Sequence, residues 1–139
     1  MTIQEIEKEI EDEFGMFDDW MDKYNYLIEL GKDCPMIETK DKNDNNLIKG
    51  CQSKVWVSAE MVDGVMEIKA DSDAVITKGI ITLLLRVFNH QKPQDVAKAD
   101  LHFIDTIGLT QHLSPTRSNG LLAMIKQIKL YALAFSMKE

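Results

Sequence analysis

Residues 55–70 read VWVSAEMVDGVMEIKA, and this stretch decides the fold class of the chain. Two runs that alternate apolar and polar residues, 55–62 and 65–70, are separated only by Asp63-Gly64. That dipeptide is a strong hairpin signal, because a type I′ turn needs positive φ at both of its central residues. The turn also sets the register, which predicts three apolar cross-strand pairs: Met61 with Met66, Ala59 with Ile68, and Val57 with Ala70.

Helical periodicity extends from the hairpin in both directions. Residues 3–28 carry apolar residues at spacings of three and four, with a break expected near Gly15 and a C-terminal cap at Gly31. After the hairpin, the polar residues 71–73 can cap a helix whose apolar positions are Ile76, Ile80, Leu83, Leu84 and Val87. Pro93 predicts the start of a short helix, and a last helix is expected from about Thr116 or Ser118.

The order of these elements predicts the architecture. A short run near residues 47–49 is predicted to add a third strand to the hairpin. Strands in one block with helices before and after it indicate an α+β domain, in which a small antiparallel sheet packs against N-terminal and C-terminal helices. We expect residues 1–139 to form one such domain, since 139 residues with 45% hydrophobic content suffice for one core.

Composition excludes several classes of protein. Hydrophobic content is too high for a disordered chain, and two cysteines are too few for a disulfide scaffold. No run approaches the roughly 18–20 apolar residues of a membrane span. A net charge of −7 without a basic cluster argues against nucleic acid as a partner. The first residues show neither a secretory signal nor a transit peptide, so we expect a cytoplasmic protein with reduced thiols.

Few residues could carry covalent chemistry. The histidines His90, His102 and His112 lie twelve and ten residues apart, without cysteine or carboxylate neighbours at ligand spacing. No phosphate-binding loop, dinucleotide fingerprint or nucleophile elbow occurs, and the 17-residue separation of the two cysteines does not fit a zinc site. The sequence therefore predicts neither a metal nor a cofactor within this chain.

Cys51 is the strongest candidate for a reactive group. It lies between Lys49 and Lys54, and nearby cations favour the thiolate that attacks sulfur. Gly50 permits unusual backbone angles and close approach of another protein. Composition alone leaves a buried, inert cysteine equally open. Cys34 follows a predicted helix C-terminus, where the helix dipole disfavours a thiolate, and is interpreted as structural; a disulfide between the two cysteines stays open.

Four segments resemble the SufE family of sulfur acceptor proteins. They occur in family order and spacing across residues 20–135: LIELG at 27–31, IKGCQSKVWV at 48–57, DSDA with a later KG at 71–79, and LTQHLSPTRSNGL at 109–121. The resemblance implies an α+β fold similar to that of the IscU scaffold. It also implies a partner, a pyridoxal-phosphate-dependent cysteine desulfurase of the SufS or CsdA type. The acceptor itself would hold no cofactor and would pass sulfur to a downstream iron–sulfur scaffold complex.

The resemblance assigns roles residue by residue. Cys51 matches the family's loop cysteine, which takes the terminal sulfur of the desulfurase persulfide. The weaker assignments are loop support or partner contact by six residues: Gly50, Gln52, Ser53, Asp73, His112 and Arg117. Asp73 is also interpreted as the cap of its helix, and Arg117 equally as a residue that orders its own turn. Cys34 stands where the family commonly has an apolar residue before proline, which supports its structural interpretation.

Other classes of function remain open beside this one. A cluster scaffold of the IscU type would need about four ligands, mostly thiolates, and this chain has two cysteines. A regulatory module could dock on a desulfurase and activate it without accepting sulfur. A thiol redox sensor would form sulfenic acid on Cys51 without any partner.

Overall fold

The structure, a computed structural model, describes residues 2–32, 47 and 54–137, without the side chains of residues 110 and 115–117. The elements follow one another as α1 (Ile3–Phe14), α2 (Trp20–Gly31), β1 (Val55–Val62), β2 (Val65–Ser72), α3 (Val75–Phe88), α4 (Pro93–Lys98), α5 (Phe103–Thr106), α6 (Leu109–His112) and α7 (Pro115–Met137). The α+β class is confirmed, with α7 beginning at Pro115. Helices α5 and α6, of four residues each, were not predicted.

The hairpin has the predicted register. β1 and β2 are antiparallel, and all three predicted apolar pairs lie opposite each other. Asp63 and Gly64 have φ values of 52° and 84°, the positive angles that a type I′ turn requires. β2 continues two residues beyond the predicted end, to Ser72, which pairs with Val55. On the other side of β1, Leu47 forms an isolated antiparallel bridge with Trp56.

Helix α3 lies at the centre of the core. Eleven of its fourteen residues are buried, because α3 packs against α2, β2 and α1. Such a helix is apolar around most of its circumference rather than on one stripe. The five predicted core positions are all buried, and so are their neighbours Ile81, Leu85 and Phe88.

Two glycines set the distance between α2 and α3. A Cβ added to Gly79 would lie 2.1 Å from the carbonyl oxygen of Leu27, and one added to Gly31 would lie 2.9 Å from the Gly79 nitrogen. The prediction that Gly31 caps α2 was wrong. The cap residue is Lys32 in the right-handed region, and Gly31 is the last helical residue. Glycine is needed there because the two backbones touch.

Glu7 joins the first helix to a segment almost a hundred residues away. Its side chain is buried, and one carboxylate oxygen, Oε2, accepts hydrogen bonds from the backbone nitrogens of His102 (2.7 Å) and Phe103 (3.1 Å). These amides begin α5, whose cap residue His102 makes no side-chain capping bond of its own. Glu7 therefore supplies the missing cap from α1.

Replacing Glu7 with alanine is expected to lower the free energy of unfolding by about 2–3 kcal/mol, because one buried and one partly buried amide lose their acceptor. Urea denaturation followed by circular dichroism measures this loss. Glu7→Gln keeps an acceptor oxygen and serves as the control, with a loss of about 1 kcal/mol. Equal midpoints for Glu7→Ala and the unchanged protein would show that the contact contributes nothing.

A partly buried ionic cluster links α3 to α1 on the outer side of the packed helices α1, α2 and α3. Arg86 on α3 donates through both terminal nitrogens to Glu13 on α1, at 2.9 and 2.6 Å, and also reaches Glu9 at 3.2 Å. The Arg86 guanidinium holds the pKa of Glu13 below its usual value. Burial, together with the hydrogen bond from its hydroxyl to Glu13, raises the pKa of Tyr26 to about 12.

Helix α7 packs on α4 and on β1 through a row of buried residues, flanked by partly buried ones that also touch the core. The buried members of this row are Leu121, Met124, Ile128 and Ala132. By length and composition alone, Ser118–Met137 reaches what a membrane span requires, with 28% of that window buried. That criterion is weak evidence, since helices that contribute to a protein core satisfy it too.

Candidate functional site

The segment that contains Cys51 lies between two residues that adjoin the first strand. Leu47, before it, bridges to Trp56, and Lys54, after it, directly precedes β1. The six residues between them lie outside the described residues, and with them the predicted site residues Gly50, Cys51, Gln52 and Ser53. Cys34 and Lys49 also lie outside, as does most of the strand predicted over 47–49; its one described residue, Leu47, forms an isolated bridge to β1.

Asp73 holds the residue at the end of this segment. The backbone nitrogen of Lys54 donates to Asp73 Oδ1 at 3.0 Å, and the Asp73 nitrogen donates back to the Lys54 carbonyl oxygen at 3.2 Å. The prediction that Asp73 caps α3 was therefore wrong. The cap position is Ala74, which offers no side-chain bond, and Ser72 Oγ accepts from its nitrogen at 3.2 Å.

A second acidic residue lies beside this pair and is engaged with its own partners. The Asp71 side chain is 4% exposed, and its Oδ1 lies 3.3 Å from Lys78 Nζ and accepts a hydrogen bond from the Ser72 nitrogen. The Asp71 carboxylate thus has a counter-charge in α3. Lys54, one of the two lysines that flank Cys51 in the sequence, is exposed and carries its charge into solvent.

His112 makes a different contact, with an aromatic ring of α2. Its ring stacks on that of Trp20, with centroids 4.3 Å apart and an angle of 11° between the planes. Gly108, at φ 88°, allows this packing, because a Cβ there would lie 3.3 Å from His112 Cδ2. The contacts of the described residues join His112 to α2, and they do not join it to Asp73 or Lys54. The exposed His112 imidazole, stacked on the Trp20 indole, therefore links α6 to α2.

Arg117, the last of the predicted site residues, lies in the first turn of α7. Its side chain is not among those that the structure describes. Within residues 2–32, 47 and 54–137, no group of three or more histidine, cysteine, aspartate or glutamate side chains could hold a metal ion. The described part of the site therefore offers backbone anchoring and surface charge.

Sequence reasoning missed the pairing of Lys54 with Asp73, although a signal for it was present. The hairpin register places Val55 opposite Ser72, so the next residues outward, Lys54 and Asp73, must lie side by side. The Trp20 partner of His112 had no comparable signal. Trp20 lies within the apolar periodicity predicted for residues 3–28, and only the tertiary contact between α6 and α2 brings the two rings together.

Comparison with known proteins identifies the family. A family model described as SufE, Fe-S metabolism associated domain, matches residues 8–132. The solution structure of a hypothetical protein from Thermus thermophilus is similar in fold, with a TM-score of 0.77 at 18% sequence identity over 93% of this chain and 94% of that one. At that identity the second likeness shows the fold alone. The first covers nearly all of the chain, including Cys51 and Asp73, and the chain therefore belongs to the SufE family of domains associated with Fe–S metabolism.

Proposed function

We propose that this protein is the sulfur acceptor of a pyridoxal-phosphate-dependent cysteine desulfurase, of the SufS or CsdA type, and that Cys51 carries the sulfur. One observation carries the proposal. The GCQS motif of residues 50–53 falls inside the SufE match, and its described neighbours are both held in place, Leu47 by its bridge to β1 and Lys54 by Asp73. A cysteine between two fixed points at a sheet edge suits delivery to another protein's active site.

The transfer is an exchange between thiols. The Cys51 thiol loses its proton to solvent, and its thiolate attacks the terminal sulfur of the persulfide on the desulfurase cysteine. A new S–S bond forms at Cys51 while the old one breaks, and the desulfurase cysteine leaves as a thiolate. The transferred sulfur keeps its oxidation state, so the exchange needs neither an external oxidant nor a reductant.

One residue of this chain favours the reactive form of Cys51. The exposed ammonium of Lys54 adds positive charge three residues from Cys51, and positive charge stabilises a thiolate. The two bonds of Asp73 are to the Lys54 backbone, so they hold this residue in place through its main chain rather than through its ammonium. The loaded Cys51 then passes its sulfur by a second exchange toward an iron–sulfur scaffold complex, in the cytoplasm, where reduced thiols persist.

Peptide mass analysis tests the proposal directly. The protein is incubated with a cysteine desulfurase and L-cysteine, digested, and analysed with and without prior reduction. One additional sulfur atom on the Cys51 peptide, removed by reductant, is the expected result. Sulfur on the Cys34 peptide instead would show that the relay thiol is Cys34. Faster desulfurase turnover with an unmodified Cys51 would make the protein an activator, and sulfenic acid on Cys51 without any desulfurase would make it a redox sensor.

A further inference from the structure

The face of α7 next to its buried row is apolar and largely exposed. Large side chains project from it at spacings of three, five and three residues: Leu122, Ile125, Leu130 and Leu133. Leu122 is 60% exposed, Leu130 48% and Leu133 50%. A surface helix normally turns polar residues to solvent. α7 instead presents apolar residues beside α4, next to the row that packs, as well as on the packing side itself.

These side chains form a groove rather than a ridge. Ala97 on α4 contributes a small side chain beside α7, and together they line an open hollow of about 370 Å³, which we name the α4–α7 groove. From Leu122 to Leu133 the groove runs along eleven residues of helix, or about 16 Å at 1.5 Å per residue. That length accommodates about three turns of another helix, which places anchors at i, i+3 or i+4, and i+7.

The charge of the groove differs in sign from that of the whole chain. Lys126 and Lys129 line it, and the Lys129 ammonium donates to the Ala99 carbonyl oxygen at the α4 side. Residues 115–137 include three basic residues and no acidic one, whereas the chain carries a net charge of −7. An apolar floor with a cationic border is complementary to an apolar helix face bordered by carboxylates.

We propose that the α4–α7 groove binds an acidic amphipathic helix of a partner protein. A second copy of this chain is a poorer occupant, because a two-fold contact between two α7 helices would set Lys126 and Lys129 against their own copies. A lipid surface is a different class of occupant, and the vesicle measurement described below distinguishes it from a peptide helix. The proposal is independent of Cys51 and survives if the sulfur-transfer assignment fails.

A designed peptide tests the groove. The probe is a fluorescein-labelled helix of about four turns with leucines at i, i+3, i+4 and i+7 and glutamates on both borders; its counterpart has lysine at every glutamate. Fluorescence anisotropy is measured with the full chain at two salt concentrations. We expect the acidic peptide to bind with a Kd on the order of 10–100 µM, more weakly at higher salt, and the lysine peptide to bind at least about tenfold more weakly.

Matched variants separate the groove from exposed apolar surface in general. Leu122→Gln with Leu133→Gln should weaken binding of the acidic peptide about tenfold or more. Met21→Gln is the control, since Met21 is 62% exposed and lies on α2, outside the groove. Thermal melting confirms that each variant is folded.

Three results would overturn the proposal. The first is no binding of the acidic peptide at about 1 mM. The second is equal loss in the Met21→Gln control. The third is a different occupant of the groove. It would show as binding to phosphatidylserine vesicles, or as self-association in sedimentation, which the groove variants abolish, in a protein that does not bind the acidic peptide.

Discussion

Replacing Gly79 with alanine is expected to cost about 3 kcal/mol or more of stability, a large share of what holds a domain of this size together. The added Cβ would lie 2.1 Å from the Leu27 carbonyl oxygen and 2.7 Å from its carbonyl carbon. Both are backbone atoms of α2, so no side chain can rotate away and the helices must move apart. Because α3 is the centre of the core, this movement opens the contacts of α2 and α3 together.

Urea denaturation of Gly79→Ala measures that loss. Gly64→Ala is the matched control. A Cβ at position 64 would meet no atom within 4 Å. The variant would carry only the backbone strain of an alanine at a φ of +84°, about 1–2 kcal/mol. A Gly79→Ala variant no less stable than Gly64→Ala would mean that α2 and α3 are not in backbone contact.

Replacing Cys51 with serine is expected to abolish sulfur acceptance and to return desulfurase turnover to the level of the desulfurase alone. A serine hydroxyl stays protonated at neutral pH and cannot hold a persulfide, so we expect a loss of about 10²-fold or more in transfer rate. Sulfide release from L-cysteine is measured with increasing amounts of the variant, and circular dichroism verifies its fold.

Cys34→Ser is the control for the second thiol, and we expect it to support full stimulation. Retained stimulation by Cys51→Ser would contradict the relay and favour a docking activator. Loss of stimulation by both variants would instead indicate that the two cysteines act together as a disulfide pair.

The hairpin was predictable because its determinants are local. The Asp63-Gly64 turn and the alternation on both sides fix the strand register from sixteen consecutive residues. The contact of Gly31 with Gly79 was not predictable in the same way. It depends on where two helices cross, and a glycine at a helix end also fits a cap, which is the role that the sequence predicted for Gly31.

Long-range polar contacts were likewise beyond sequence reasoning. Glu7 is one acidic residue among nine in the first 22 positions, and nothing local distinguishes the one that caps α5. At the candidate site, composition left Cys51 undecided between reactive and buried. The order and spacing of the family segments favoured the reactive interpretation, and the register of the hairpin accounts for Asp73.

The two hydrogen bonds between Lys54 and Asp73 also fix one end of a short tether that limits the reach of Cys51. Cys51 lies three residues before that anchored point, so its Cα can travel no farther than about 10–11 Å from the Lys54 Cα. With so short a tether, Cys51 cannot reach a target that lies far from the sheet edge. In the proposed transfer, the donor's sulfur must therefore be brought to the sheet edge by the docking of the two protein surfaces, and the surface within that radius would decide which donors the protein can serve.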